Sequence, residues 1–156
     1  MNNQIPEGYH TLTPQIVFKD CKKAIEFYKK AFDAKEMSLL LLPGGERVMH
    51  AAIQVGNSII MMSDENPSCN KSFETIGGSP VSFYIYVEDV DKAFKKAIDA
   101  GAITTMPVAD MFWGDRCGNV KDPFGYSWMI GTHKKDLTPE EIAKGAELFC
   151  AQMAKG

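Results

Sequence analysis

Phe112-Trp113-Gly114-Asp115-Arg116-Cys117-Gly118-Asn119-Val120-Lys121-Asp122-Pro123-Phe124-Gly125-Tyr126-Ser127-Trp128 is the stretch around which the chain is organised. Seventeen residues hold three glycines, both tryptophans, two aspartates, an arginine and a lysine. Asp122-Pro123-Phe124-Gly125 reads as a turn, with Pro fixing φ and Gly allowing a positive φ. Val120 before it and Trp128-Met129-Ile130 after it favour strands, so the turn is expected at the tip of a hairpin.

Working outward, the same order of elements occurs twice. Upstream, Leu12 to Lys19 alternates, with Leu12, Pro14, Ile16 and Phe18 on one face and Thr13, Gln15 and Val17 on the other. Asp20 is a helix cap candidate, and Cys21 to Phe32 has apolar residues at helical spacing. Lys35 to Leu42, Arg47 to Val55 and Ser58 to Ser63 read as a meander of three strands. In Arg47–Val55, Met49, Ala51, Ile53 and Val55 oppose Val48, His50, Ala52 and Gln54. After a polar segment, Val81, Phe83, Ile85 and Val87 alternate with Ser82, Tyr84 and Tyr86. Asp89 then caps a helix from Val90 to Ala100, and Ile103 to Met111 is an irregular strand leading into the opening stretch.

Aligning the caps Asp20 and Asp89 gives an offset of 69, which also sets Arg47 on Arg116, Gly56 on Gly125 and Ser58 on Ser127 without a gap. The expectation is an α+β fold: two tandem βαβββ modules forming one curved, cup-like mixed sheet, with helices outside. The modules are placed at 9–64 and 80–132 of a single domain, joined by a linker at 65–79 that is either a simple connector or a loop over a site. Thr138-Pro139-Glu140-Glu141 has the form of a capping box and opens an additional C-terminal helix over 138–154, outside the repeat.

The composition suits one soluble domain: 156 residues, 45% hydrophobic and 24% charged, with net charge −3. That charge, without a basic run, argues against nucleic acid as a partner. The apolar runs are too short to span a bilayer, and the first residues lack a signal-peptide pattern, so a cytoplasmic protein with no membrane partner is expected. Cys21, Cys69, Cys117 and Cys150 form no C-x-x-C pair and are expected as free thiols.

The chain resembles the vicinal oxygen chelate superfamily, the glyoxalase and bleomycin-resistance fold, and within it the PhnB-like branch. The resemblance is carried by Ile5-Pro6-Glu7-Gly8-Tyr9 with Thr13-Pro14, by Ala24-Ile25-Glu26-Phe27-Tyr28 leading to Ala31-Phe32, and by Val48-Met49-His50-Ala51 with Gly56-Asn57-Ser58. It continues in Phe112-Trp113-Gly114-Asp115-Arg116, Asp122-Pro123-Phe124-Gly125 and Thr132-His133 before Leu137-Thr138-Pro139. It implies paired βαβββ modules and a homodimer. The superfamily's metal ligands would fall at Thr13, Ile60, Ser82 and Met129, none of which is a ligand type for a divalent metal. No metal and no cofactor are therefore expected. The branch often has Tyr in place of Gln15 and Gly in place of Asp33, departures that touch the pocket and a loop respectively.

Strand parity turns Gln15, His50, Gln54, Tyr84 and Tyr86 away from the apolar rows, as a small-molecule pocket requires. The family motif adds Trp113 as an aromatic wall and Arg116 as a partner for an acidic group. Each has a structural alternative: tyrosines filling a core, His50 hydrogen-bonded in place, Arg116 paired with a neighbouring acid. Two functions follow. One is a metal-independent binding protein for a small, partly aromatic molecule. The other is a superfamily enzyme, an isomerase, lyase or dioxygenase, acting on a small oxygenated substrate.

Overall fold

A computed structural model describes residues 4–154. The first module runs β1 (Gln15–Phe18), α1 (Cys21–Phe32), β2 (Lys35–Leu41), β3 (Val48–Val55) and β4 (Ser58–Asp64). A one-turn helix, α2 (Phe73–Ile76), precedes the second module: β5 (Phe83–Tyr86), α3 (Val90–Asp99), β6 (Ile103–Asp110), β7 (Asp115–Lys121) and β8 (Ser127–His133). The chain ends in α4 (Pro139–Met153). No helix among the described residues is long and apolar enough to cross a membrane.

The expected caps form. Asp20 accepts from the Lys23 N–H, Asp89 from that of Lys92, and Thr138 and Glu141 close a reciprocal capping box on α4. Asp33 ends α1 at φ 53°, the left-handed conformation for which glycine is the usual residue.

The single cup-like sheet does not form. The strands make two separate four-stranded sheets, ordered β1-β4-β3-β2 and β5-β8-β7-β6, and neither is curled or closed. Within each, the first strand pairs parallel with the last, and the remaining pairs are antiparallel. The modules meet through their helix-bearing faces instead of through strand edges. There α1 packs on α3, and Phe18 and Tyr28 of the first module touch Phe124, Tyr126 and Trp128 of the second. Burying these rings removes far more apolar surface from water than pairing two four-residue edge strands would. The faces turned away from the helices remain open.

Both leading strands are shorter than their alternation implies. Leu12 is 86% exposed and lies outside β1, because Pro14 has no N–H to donate. The Pro14 carbonyl accepts from the Met61 N–H and the chain turns away. The repeat also carries shifts that an ungapped alignment hides. Gln15 pairs with Met61 where Tyr84 pairs with Met129, so the leading strands keep the offset of 69 while the last strands differ by 68 (129 − 61). Asp64 and Thr132 share that offset of 68 (132 − 64) and play the same part, since their side chains accept from the first helical N–H groups, of Cys21 and Val90. The five-residue turn 122–126 replaces the two-residue turn 56–57, which is why one constant offset fails.

A bulge alters β3 as well. Leu40 faces His50, but Leu41 faces Val48, so Met49 is squeezed out and 58% exposed while Val48 turns into the core. The expected places of Val48 and Met49 are therefore exchanged; His50, Ala52 and Gln54 keep their side. The 65–79 segment is a fastened connector. Glu65 accepts from the Ser72 N–H and hydroxyl and from Thr75, bonds that lower its pKa to about 2. Phe73 then lies over Gly125, where any Cβ would overlap its ring.

Candidate functional site

On the open face of the second sheet, four side chains converge on Asp115, the first residue of β7. The hydroxyls of Tyr84 (2.9 Å) and Tyr86 (3.1 Å), both on β5, donate to its Oδ2, as does the Trp113 indole N–H (3.2 Å). His133, at the end of β8, places Nδ1 2.8 Å from Oδ1 and Nε2 3.0 Å from Asp136. Parity produces this gathering: residues of one parity on β5, β7 and β8 all face away from the helices. Tyr84 reaches Asp115 by crossing β8 at Gly131, where an ideal Cβ would stand 2.6 Å from the phenolic oxygen. Only glycine leaves that path open.

The electrostatics hold Asp115 ionised. Burial works against the charge, but the bonds from His133, the two tyrosines and Trp113 outweigh it and keep the carboxyl below its ordinary range. His133, between Asp115 and Asp136, is shifted upward by bonds to both, Asp115 first. Burial and the bond to Asp115 push the Tyr84 phenol up. Asp115 is 4% exposed, yet its cover is thin, since Tyr86 is 66% exposed and Tyr84 and His133 are also exposed.

Of the residues singled out by sequence, Tyr84, Tyr86 and Trp113 come together here. Gln15, His50 and Gln54 share the open face of the first sheet, a separate surface. Arg116 faces the helix side, where Asp91 of α3 takes two of its N–H groups (2.8 and 2.9 Å) and Asp110 a third. A cleft of 1090 Å³ runs between the modules and touches Gln54, Tyr84 and Tyr86, but not His50, Trp113 or Arg116. Sequence reading missed Asp115 and His133 as the centre. The available signal was parity: Asp115 alternates with Arg116 and falls on the side of Cys117 and Asn119, while His133 falls with Met129 and Gly131.

The superfamily's metal positions do not fit a metal. Thr13 donates to the His10 carbonyl, and Met129 is a thioether on the open face. Ile60 points into the core; the register makes Met61 the true counterpart of Met129. Among the described residues, no three His, Cys, Asp or Glu side chains are grouped as a metal site.

Known proteins share this arrangement of paired modules. Residues 10–130 match the Glyoxalase/Bleomycin resistance protein/Dioxygenase superfamily, and the chain belongs to it. An uncharacterized protein of Mycobacterium bovis is 38% identical over 135 residues, covering 84% of this chain and 88% of that one. The crystal structure of an Arabidopsis thaliana gene product superposes with a TM-score of 0.64 at 27% identity, covering 78% of this chain and 97% of its own. A PhnB protein from Bacillus cereus gives a TM-score of 0.64 at 20% identity, with coverages of 79% and 99%, which is a likeness of fold.

Proposed function

We propose that the protein is a metal-independent small-molecule-binding member of this superfamily, of the PhnB-like type. Its ligand lies on the open face of the second sheet. The observation that carries this reading is a buried, ionised carboxylate that holds two exposed tyrosines and an indole in fixed poses on an uncovered face. Rings held by their polar ends present their π-faces to a ligand without losing freedom on binding. The ligand is small and partly aromatic. With Arg116 engaged on the helix side, selection for an acidic group falls to His50 alone. An enzymatic role finds less support, since both nitrogens of His133 are already committed to carboxylates.

The active form is a homodimer. Met37, Leu39, Leu40 and Met49 of the first module and Ile103 of the second lie exposed beside the free edge strands β2 and β6. Apolar edges of this kind are usually covered, and a second copy would bring the face bearing Gln15, His50 and Gln54 toward the aromatic cluster.

The test uses the anionic fluorescent dye 1-anilinonaphthalene-8-sulfonate, which joins an aromatic system to an acidic group, as the probe. Losing one aromatic contact of about 1 kcal/mol should weaken binding roughly fivefold in Tyr86→Ala. His50→Ala should also weaken it, while Lys30→Ala, on the exposed side of α1, should not. Unchanged affinity in both Tyr86→Ala and His50→Ala would overturn the assignment.

A further inference from the structure

Helix α4 lies wholly beyond the region shared with the superfamily, which ends at residue 130. None of its residues is buried, so it adds little to the core. It nevertheless packs closely on Phe112, and that packing leads to the candidate site. Gly145, inside α4, sits so near Phe112 that an ideal Cβ would stand 2.8 Å from the Phe112 Cβ. One helical turn on, Phe149 packs against the same ring at 5.5 Å between centroids. Phe112 in turn meets the Trp113 ring edge to face at 5.0 Å. The Trp113 indole then donates to Asp115.

A second fastening comes from the connector between β8 and α4. The N–H groups of Lys134 and Lys135 both donate to the Gly114 carbonyl at 3.0 Å. Gly114 has φ +100°, and a Cβ there would collide with the Lys135 carbonyl. The Phe112–Asp115 loop is thus held from outside by the 134–137 connector and by α4. The glycine inside α4 has no local purpose, since alanine is the better helix former at an interior position. Its use is to let Phe112 approach.

We infer that α4 positions Trp113: Gly145 and Phe149 seat Phe112, Phe112 sets the indole against Asp115, and this fixes one aromatic wall of the face offered to a ligand. The inference rests on the reading of this face as a ligand site. Gly145 and Phe149 touch no ligand and act through Phe112.

The experiment compares acrylamide quenching of tryptophan fluorescence in the wild type, Gly145→Ala, Phe149→Ala and Phe149→Leu. Trp128 is buried and hydrogen-bonded, so subtracting the signal of Trp113→Phe isolates Trp113. Gly145→Ala and Phe149→Ala should raise the Trp113 quenching constant at least twofold, and Phe149→Leu should restore much of the protection. Dye affinity in Gly145→Ala should fall severalfold, and its thermal midpoint should fall as well, because the added Cβ strains the contact with Phe112. A structural role for α4 alone predicts a lower midpoint with unchanged quenching, and that result would overturn the inference. So would mobilised Trp113 with unchanged dye affinity, provided Tyr86→Ala weakens dye binding. If Tyr86→Ala leaves binding intact while quenching responds as expected, the ligand-site reading fails and the positioning of Trp113 by α4 stands.

Discussion

Asp115 and Asp122 open and follow the same strand, and each is almost fully buried, at 4% and 3% exposure. Each collects four donors. Asp122 accepts from the Tyr28 hydroxyl at 2.6 Å, the Trp128 indole at 2.9 Å and the N–H groups of Phe124 and Tyr126 at 2.9 Å. Asp115 accepts from two tyrosines, a tryptophan and a histidine. Their odd spacing, seven residues, sends them to opposite sides of the sheet. Asp122 enters the packed helix side, where Tyr28 and Trp128 are themselves buried and join α1 to the β7–β8 hairpin. Asp115 enters the open face, where its partners are exposed. The same chemistry welds two modules on one side and displays aromatic groups on the other; the depth of the partners makes the difference.

Removing each carboxylate should break this comparison most visibly. Asp122→Ala leaves four donors unsatisfied, three of them in buried bonds, at ~1 kcal/mol or more each, a loss of about 4 kcal/mol in urea unfolding. Asp115→Ala frees donors that water can reach, so the loss there should stay under about 2 kcal/mol while dye binding is abolished. Comparable losses at the two positions would contradict the distinction.

Single hydroxyls offer a finer version. Tyr28→Phe removes a short bond to a buried carboxylate and should cost about 2 kcal/mol. Tyr86→Phe should cost less than about 0.5 kcal/mol, because its hydroxyl has water as an alternative. A chemical denaturation series on both variants measures the pair directly.

The smallest effect is one of slope with pH. Asp115 is held below its unfolded value, so its contribution is complete above about pH 4 and is lost as pH falls through its lower folded value. Asp122 is raised, by burial first, with its hydrogen bonds opposing. Its contribution is complete below about pH 4 and is lost as pH rises through its folded value. His133 is raised, so its contribution is present below about pH 6.5 and is lost above, through its folded value. On acidification from pH 5 to 3, the stability advantage of wild type over Asp115→Asn should shrink, and its standing against Asp122→Asn should improve. Parallel curves for the two variants would show that the aspartates do not differ.

Much of this protein was legible in local sequence. The two βαβββ modules follow from alternation and helical spacing, and the caps Asp20, Asp89 and Thr138 sit where short polar side chains precede apolar helices. The turn at Asp122–Gly125 follows from Pro and Gly, and forms with the Gly125 N–H bonded to the Asp122 carbonyl. Parity also put Tyr84, Tyr86, His50 and Gln54 on the sides away from the helices. All of these are short-range consequences of backbone geometry, so residue identity and spacing decide them.

What only the tertiary structure decided depends on register and on which faces meet. The bulge at Met49 and the drift in repeat offset arise from pairing between strands, to which a linear alignment is blind. That two open sheets join through α1, α3 and an aromatic core, and not as one curved sheet, depends on surface buried across residues a hundred positions apart, such as Phe18 and Phe124. Arg116 and Asp115 are neighbours in sequence, and the pleat alone gives them opposite faces. Which of them met acids on a helix and which met tyrosines was settled only when α3 packed on one side of the sheet and left the other open, because a side chain's partners are fixed by the elements opposite it.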